Sequence, residues 1–288
     1  MPAVSVIIPT YNRARFLKEA ICSVLAQDFH DFELIVVDDG STDDSPQLLG
    51  SYPKIRIVRQ DRRGVSAARN AGIARAPGRF VAFLDSDDLW LPGKLSAQVA
   101  FFETHPTALI CQTEEVWIRN GIRVNPKKQH KKHSGMIFGP SLELCLVSPS
   151  AVMMQRRLLD EVGGFDETLP ACEDYDLWLR IACRFPIYLI STPLVVKRGG
   201  HKDQLSSEPG VDRFRIRALE KILESNLLTP KQRAAALEAL KKKCAIYAGG
   251  CFKRRRINEA NEYLRLPAKF TQGGQGASGY EVCLPAVE

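Results

Sequence analysis

Short apolar runs alternate with amphipathic segments through the first part of the chain. Four runs rich in Val, Ile and Phe have the length of buried β-strands, and apolar residues recur at helical spacing between them. The predicted strands are residues 4–8, 32–37, 55–58 and 81–84, and the predicted helices are residues 13–28, the segment after residue 41 and residues 65–76. Strand and helix therefore alternate four times, which predicts an α/β fold with a mostly parallel central sheet flanked by helices.

The pattern is looser beyond this repeat and changes to helix near the C-terminus. The predicted elements are a helix at 92–104, extended segments at 108–118 and 148–154, a helix at 156–162, a helix that opens at Glu173, strands at 187–190 and 194–198, and helices at 212–226, 230–248 and 256–265. Residues 271–288 contain four glycines and predict a disordered or loosely attached tail. We expect a main domain at 1–210, a basic helical region at 211–270 and a tail at 271–288.

Composition narrows the class of protein. The chain has 288 residues, of which 45% are hydrophobic and 25% are charged, a balance that is typical of soluble globular proteins. No run approaches the roughly 18 apolar residues of a spanning helix, and the N-terminus enters a strand without a charged and apolar leader. The eight cysteines are scattered without a CxxC pair, which disfavours a metal–thiolate site and indicates a reducing compartment. These features predict a cytoplasmic protein.

The net charge of +7 is concentrated at one end of the chain. Residues 211–288 carry 15 basic and 8 acidic side chains, whereas the remainder is balanced. The clusters 241–243 and 253–256 are either solvated helix faces or a patch on an anionic bilayer, at the inner face of the cell membrane and near a lipid-linked acceptor. Nucleic acid is not expected as a partner, because no recognition motif accompanies the charge. The four lysines of the polar loop 125–133 indicate a solvated loop or an acceptor-side flap that closes on a phosphate-bearing substrate.

Acidic residues stand where two of the predicted strands end. Asp85, Asp87 and Asp88 follow one strand, and Asp38 and Asp39 close another. Carboxylates at the mouth of a buried strand repel each other, and Mg²⁺ or Mn²⁺ would reverse that repulsion. A solvated acidic turn, with Asp88 as a helix cap, is the other interpretation. Because the chain has no GxGxxG or P-loop sequence, a diphosphate at this edge would need a metal in place of a glycine-rich cradle.

Two further segments contain candidate functional residues. Glu173 and Asp174 open a helix, where they either complement the helix dipole or supply a general base to an acceptor hydroxyl. His201 lies in a glycine-flanked loop after the last predicted strand. A single histidine is usually structural or exposed, and the loop also allows this one to reach a metal.

With these residues in view, the chain resembles the family 2 glycosyltransferases of the GT-A fold. Several motifs match in the expected order over roughly residues 3–207, and their series is far more specific than any one alone. The motifs are Val6-Ile7-Ile8-Pro9-Thr10-Tyr11-Asn12, Val36-Val37-Asp38-Asp39-Gly40-Ser41, Ala68-Arg69-Asn70-Ala71-Gly72, Phe83-Leu84-Asp85-Ser86-Asp87-Asp88, Gly163-Gly164-Phe165-Asp166, Glu173-Asp174-Tyr175-Asp176-Leu177-Trp178 and His201.

The resemblance implies that residues 1–210 bind a nucleotide sugar and catalyse its transfer. Pro9, Thr10 and Tyr11 would line the base pocket. Asp39 would hydrogen-bond the base, and Asn70 would help close the nucleotide site.

The resemblance also implies a metal site and a general base. Asp85 would contact the ribose or the donor sugar, and it would join Asp87 and His201 in binding Mn²⁺ or Mg²⁺. Asp174 would be the general base, with Glu173 supporting it.

The implied reaction is inverting, metal-dependent transfer of a sugar from a nucleoside diphosphate sugar, with a UDP-sugar favoured. The acceptor would be a hydroxyl of a saccharide or a lipid-linked molecule, in synthesis of polysaccharide, lipopolysaccharide or another glycoconjugate. Two alternatives stay open. A sugar-phosphate nucleotidylyltransferase would carry a glycine-rich, lysine-bearing loop where this chain has Thr10-Tyr11-Asn12-Arg13. A non-catalytic nucleotide-sugar-binding protein would have no need of the acids at Asp87 and Asp174.

Overall fold

The structure, a computed structural model, describes residues 1–200 and 210–271. Nine strands in these ranges form one sheet: β1 (Val4–Thr10), β2 (Phe32–Asp38), β3 (Arg56–Arg59), β4 (Phe80–Phe83), β5 (Leu89–Trp90), β6 (Ile110–Arg119), β7 (Ile122–Val124), β8 (Val152–Gln155) and β9 (Tyr188–Gly199). The α-helices of the same ranges are α1 (Ala14–Leu25), α2 (Ser45–Gly50), α3 (Val65–Ile73), α4 (Lys94–Thr104), α5 (Phe138–Glu143), α6 (Arg156–Val162), α7 (Glu173–Ala182), α8 (Asp212–Glu224), α9 (Pro230–Lys253) and α10 (Ile257–Arg265).

The strand order is β3-β2-β1-β4-β8-β6-β9-β5, with β7 paired to β6. Strands β3, β2, β1 and β4 are parallel, as are β6 and β9, whereas β5, β7 and β8 run antiparallel to their neighbours. The predicted α/β fold is confirmed. Because β1, β2 and β4 point the same way, their carboxyl ends meet at one edge of the sheet, where open α/β sheets bind ligands.

Two apolar cores lie against the sheet, and β1 contributes to both because its side chains alternate between the faces. Ile7 belongs to the core that contains α7, α8 and α9, whereas Val6 and Ile8 belong to the core that contains α1 and α4. All seven residues of β1 are buried. The continuous apolar run in the sequence is therefore that of a strand covered on both faces.

The sequence pattern misses β5, β7 and α5, each six residues long or shorter. It also predicts two strands at 187–190 and 194–198, where the structure has the single strand β9. The ladder between β6 and β9 shifts register on both sides of Glu114, which pairs with Pro193. Proline has no N–H to donate to the ladder, so the irregular point appears in the sequence as a gap between strands.

The C-terminal helices pack onto the main domain. Helix α8 contacts α7, α9 contacts α5 and α8, and α10 lies on α9. Ile216 and Leu240, from α8 and α9, belong to the same apolar core as Ile7. No helix within residues 1–200 or 210–271 is both long and apolar enough to cross a membrane. From residue 272 onward, the predicted tail lies outside the described residues.

Candidate active site

A cavity of about 1210 Å³ opens at the edge of the sheet where β1, β2 and β4 end. Most of the site residues predicted from the sequence line its wall: Pro9, Thr10, Tyr11, Asp39, Asp85, Asp87, Glu173 and Asp174. Asn70 does not line it, and His201 lies outside the described residues. Segments from residue 9 to residue 174, far apart in the sequence, thus meet around one cavity.

Asp39 organises the loop that follows β3. Its Oδ1 accepts hydrogen bonds from Gln60 Nε2 at 2.7 Å and from the Arg63 N–H at 2.9 Å, and its Oδ2 accepts one from the Gly64 N–H at 2.8 Å. Gly64 has φ +94°, a conformation that side chains disfavour. A bond from Asp39 to a nucleotide base stays a prediction, and the observed bonds give this buried carboxylate a second role in loop geometry.

The loop after β1 presents an aromatic face to the cavity. The guanidinium of Arg62 lies 4.1 Å from the centroid of the Tyr11 ring, a cation–π distance. The next residue, Asn12, has φ 50° and fixes the loop, because its Oδ1 accepts a hydrogen bond from the Thr42 N–H at 2.7 Å. Its own N–H donates to Ser41 Oγ at 2.9 Å.

Arg69 joins the two ends of the cavity, and the sequence assigned it no role beyond its place in a motif. Its guanidinium lies 2.7 Å from Asp85 Oδ1 and 2.6 Å from Glu173 Oε1. Burial opposes the charged form, but Asp85 and Glu173 raise the pKa of Arg69 above its ordinary value. This buried cation compensates the repulsion between carboxylates that are distant in the sequence.

Asn70 fastens the glycine turn before α7. Its Nδ2 donates to the Phe165 carbonyl at 2.8 Å and to Glu167 Oε1 at 3.0 Å, and its Oδ1 accepts from the Phe165 N–H at 2.9 Å. A Cβ at Gly164 would stand 2.4 Å from Asn70 Oδ1, so close an approach requires glycine. The nucleotide contact of Asn70 stays a prediction.

Asp87 and Asp88 have different surroundings. Asp87 forms an ion pair with Arg13. Asp88 is buried and accepts hydrogen bonds from Ser150 Oγ at 2.6 Å and the Arg198 N–H at 2.9 Å. Burial, followed by the charges of Asp87 and Asp85, raises the pKa of Asp88 well above its ordinary value. Asp88 therefore fixes the position of β9 instead of capping α4, which begins after Gly93.

Glu173 and Asp174 lie in the first turn of α7. Burial raises the pKa of Glu173 to about 6, with Asp174 adding to the shift and Arg69 opposing it. Asp174 Oδ1 accepts a hydrogen bond from the Tyr175 N–H at 2.7 Å, and its Oδ2 accepts one from Cys145 Sγ at 3.5 Å. The helix start thus holds the Asp174 carboxylate in one orientation at the cavity wall.

Asp85 and Asp87 present carboxylate oxygens at the cavity wall, the ligand type that Mg²⁺ and Mn²⁺ prefer, and each is paired with an arginine. Among residues 1–200 and 210–271, no group of three His, Cys, Asp or Glu side chains is placed to hold a metal. Mg²⁺, however, is commonly bound through one or two carboxylates together with substrate phosphates. The two carboxylates therefore fit a cation that arrives with a diphosphate.

A family model and several curated relatives match the sequence. The model of Glycosyl transferase family 2 matches residues 5–163, more than half of the chain. An uncharacterized glycosyltransferase of Nostoc sp. is 51% identical over 173 residues, which are 57% of this chain and 54% of that protein. One of Rickettsia bellii is 33% identical over 215 residues, which are 72% of this chain and 31% of that protein. The chain spans 31% to 64% of the length of the Rickettsia proteins that it matches.

A relative with a named substrate is WfaP of Escherichia coli, a UDP-Glc:alpha-D-GlcNAc-diphosphoundecaprenol beta-1,3-glucosyltransferase. It is 32% identical over 189 residues, which are 63% of this chain and 70% of that protein.

Solved structures resemble the fold. The 1–349 fragment of S. aureus TarS has a TM-score of 0.69 at 22% identity, covering 91% of this chain and 80% of that chain. The same fragment in complex with UDP-GlcNAc has a TM-score of 0.66 at 20% identity, covering 92% and 91%. Mannosyltransferase PcManGT from Pyrobaculum calidifontis, in complex with GDP-Man and Mn²⁺, has a TM-score of 0.57 at 21% identity, covering 95% and 88%. At identities this low, the similarity shows a shared fold and nothing about activity. The predicted GT-A type of fold is confirmed.

Proposed function

The chain belongs to glycosyltransferase family 2, and from this we propose that it moves a sugar from a nucleoside diphosphate sugar, with a UDP-sugar favoured, to an acceptor hydroxyl with inversion. The main support is that one cavity joins Tyr11 and Asp39, on the nucleotide side, to Asp85, Asp87 and Asp174. The names of relatives and neighbours agree, since WfaP uses UDP-Glc and TarS binds UDP-GlcNAc.

The nucleotide base binds against the part of the cavity wall that Pro9, Thr10 and Tyr11 form. The Tyr11 ring already accepts the planar Arg62 guanidinium on its face, and a planar base can stack in the same way. Asp39 keeps lone pairs beyond its three observed bonds, with which it accepts a hydrogen bond from a base N–H. Asn70 supports this side by fixing the turn at Phe165.

Asp85 and Asp87, together with His201, would hold Mn²⁺ or Mg²⁺ beside the donor diphosphate. When bound, the cation supplies Lewis-acid stabilisation of the charge that develops on the departing diphosphate. Asp85 would also contact the ribose or the donor sugar, and the ion pair with Arg69 keeps its carboxylate in place.

Asp174 removes the proton of the acceptor hydroxyl as the acceptor oxygen attacks the anomeric carbon. The bond from that carbon to the diphosphate oxygen breaks, and the electron pair leaves with the diphosphate. Oδ2 is the oxygen suited to receive the proton, because its partner is a weak thiol donor whereas Oδ1 is held by a backbone N–H. Glu173 supports Asp174 by anchoring the start of α7 to Arg69.

The acceptor in this proposal is a saccharide or a lipid-linked molecule, and the enzyme works peripherally at the inner face of a membrane. WfaP is named for a diphosphoundecaprenol-linked acceptor. In this chain, exposed Phe252 and Ile257 flank the cations Lys253, Arg254 and Arg255. Apolar and basic side chains on one surface favour contact with an anionic bilayer.

The test combines binding with turnover. Calorimetry with UDP-, GDP- and dTDP-sugars in Mn²⁺ measures donor affinity, and a transfer assay with each donor and a panel of saccharide acceptors measures glycoside formation. Donor binding without transfer or hydrolysis would favour the non-catalytic alternative. Pyrophosphate release from a nucleoside triphosphate and a sugar phosphate would favour the nucleotidylyltransferase. Undiminished transfer in excess chelator would contradict the metal site.

A further inference from the structure

The β6–β9 wall of the cavity carries charged and aromatic side chains that the proposed reaction does not use. Glu115 and Trp117 are two residues apart on β6 and so share a face, and Lys197 is the register partner of Trp117 on β9. All three line the same cavity as Asp174, the proposed general base. His130 and Lys132, from the 125–133 loop, line it as well.

Glu115 and Lys132 neutralise each other within this wall. Lys132 Nζ lies 2.9 Å from Glu115 Oε1 and donates to the Thr113 carbonyl at 2.9 Å. Burial opposes ionisation of Glu115, but Lys132 and then Lys197 lower its pKa to about 2. Lys132 is therefore buried, and the expectation of a fully solvated loop is wrong for this residue.

Lys197 has no such partner. Within residues 1–200 and 210–271 its ammonium makes no hydrogen bond or ion pair, and it lies 5.7 Å from the centroid of the Trp117 ring. Burial opposes its charge, but Glu115, Asp88 and Asp85 raise the pKa of Lys197 above its ordinary value. Each of these carboxylates has another partner: Glu115 pairs with Lys132, Asp85 pairs with Arg69, and Asp88 accepts from Ser150 and the Arg198 N–H. The half-buried ammonium at the cavity wall is therefore available to an anion.

Trp117 is held in a fixed orientation beside this cation. Its indole N–H donates to Glu115 Oε2 at 3.1 Å, and the His130 ring lies 5.1 Å away between centroids. The ring is half-exposed, so it offers an apolar face to a ligand in the cavity. A fixed aromatic face beside an ammonium matches a saccharide that carries an anionic group, because the C–H face of a sugar ring is apolar.

We propose that Trp117 and Lys197 form the acceptor subsite and that it recognises a glycosyl phosphate, with the sugar ring on Trp117 and a phosphate oxygen on the Lys197 ammonium. This inference rests on the proposed function, because it names the acceptor class of that reaction. The diphosphate of the donor carries the same kind of phosphate oxygens as the acceptor phosphate, so it is the other possible ligand of the Lys197 ammonium. The acceptor is the favoured source because Lys197 stands beside the aromatic face of Trp117, which suits a sugar ring, whereas the expected base contacts follow β1 and β2. The proposed diphosphate site at Asp85 and Asp87 borders this wall, so the test below fills it with UDP and Mn²⁺.

Tryptophan fluorescence tests the subsite without requiring turnover. Trp90 and Trp178 are buried, so Trp117 is the tryptophan that a ligand in the cavity can contact. Protein saturated with UDP and Mn²⁺ is titrated with N-acetylglucosamine 1-phosphate and with methyl N-acetylglucosaminide, the matched sugar without phosphate. We expect N-acetylglucosamine 1-phosphate to bind about tenfold more tightly than the methyl glycoside. The fluorescence change on binding should vanish in Trp117→Phe.

Lys197→Met should abolish the preference for the phosphate while UDP affinity, which also reports correct folding, stays unchanged. Lys131→Met is the matched control, because Lys131 is exposed on the neighbouring 125–133 loop and does not line the cavity. A preference that survives in Lys197→Met overturns the inference. A fall in UDP affinity in that variant also overturns it, because it assigns Lys197 to the donor. A wild-type protein that binds no nucleotide and transfers no sugar contradicts the proposed function instead.

Discussion

At the scale of single residues, arginines hold the carboxylates of the cavity at close range. Arg69 links Asp85 to Glu173, and Arg13 pairs with Asp87. Without these partners, burial and mutual repulsion would disfavour the ionised carboxylates. The pKa of Glu173 still rises to about 6, because burial and the neighbouring Asp174 outweigh Arg69. Arg69 thus links Asp85 to the first turn of α7, which also carries Asp174, the proposed general base.

Replacement of Asp174 by Asn tests the base. The amide keeps the size of the side chain and removes the proton acceptor, so we expect kcat for transfer to fall by at least about 100-fold. Donor affinity, measured by calorimetry, should change by less than about twofold, because the proposed role of Asp174 is toward the acceptor hydroxyl. Asp160→Asn, at an exposed position of α6, is the matched control and should retain full activity. Full transfer activity in Asp174→Asn would remove Asp174 from this role.

Lys94 is a buried lysine whose pKa predicts a pH-dependent stability. It has no exposed surface, donates to Gln98 Oε1 at 2.5 Å and lies 4.0 Å from the Trp90 ring centroid. Burial lowers its pKa to about 7, with Cys111 opposing the shift and Lys132 adding to it. The unfolded chain keeps a pKa of about 10.4. Between these values the unfolded state binds more protons, so the free energy of unfolding rises with pH.

The change Lys94→Met should remove this dependence. From pH 7.5 to 9 the wild-type free energy of unfolding should rise by up to about 1.4 kcal/mol per pH unit more than that of the variant. Urea unfolding at several pH values measures both slopes. The exposed Lys54→Met serves as the control and should keep the wild-type slope. Equal slopes in wild type and Lys94→Met would mean that the buried amine keeps its ordinary pKa.

At the scale of elements, the sequence predicts those strands and helices whose burial follows a simple period along the chain. The apolar run of β1 and the amphipathic stripe of α1 are visible in the sequence because burial there follows a simple period. The acids at strand ends meet at one cavity because parallel strands share a carboxyl edge, which the alternation of elements implies. The role of Arg69 is hidden, because its partner Glu173 is 104 residues away. Lys94 is hidden as well, because lysine in a helix is ordinarily exposed.

Lys221 ties α8 to α7 and to the turn before it. Its Nζ lies 2.6 Å from Asp176 and 2.5 Å from Asp166. Burial opposes the ionised form of Asp166, but Lys221 and Thr168 lower its pKa to about 2. A depressed carboxyl pKa contributes stability that is present above the unfolded value of about 3.9 and is lost as the pH falls toward 2.

We therefore expect Lys221→Met to lower the free energy of unfolding at pH 7 by about 1–3 kcal/mol, because it leaves the buried Asp176 with Arg180 as its remaining cation. The difference from wild type should shrink near pH 3, because the stability that the lowered pKa of Asp166 contributes is lost as the pH falls toward 2. Lys241→Met is the control, since its pair with Glu238 is exposed, and it should change stability by less than about 0.5 kcal/mol. Urea unfolding at both pH values measures these differences, and a constant gap would contradict the ion-pair account.

At the scale of the whole molecule, the basic C-terminal region combines a buried face with an exposed one. Its buried residues, such as Leu240 and Ala248, join the core of the main domain. Its exposed end carries Phe252 and Ile257, which are 40% and 50% exposed. Docking one face on the enzyme would hold the other at a fixed position relative to the cavity, so a membrane contact there would also orient the active site toward a lipid-linked acceptor.

This arrangement predicts charge-dependent binding to vesicles. Wild-type protein should co-sediment with vesicles that contain phosphatidylglycerol and remain in solution with phosphatidylcholine alone, because each basic residue near an anionic surface contributes about 1 kcal/mol. Arg254→Glu with Arg255→Glu should abolish co-sedimentation, and Phe252→Ser should weaken it. The control pair Lys18→Glu with Lys54→Glu makes the same change in net charge at exposed positions near the N-terminus. If both pairs reduce binding equally, net charge alone attracts the bilayer; if neither does, the C-terminal cations are a solvated helix face.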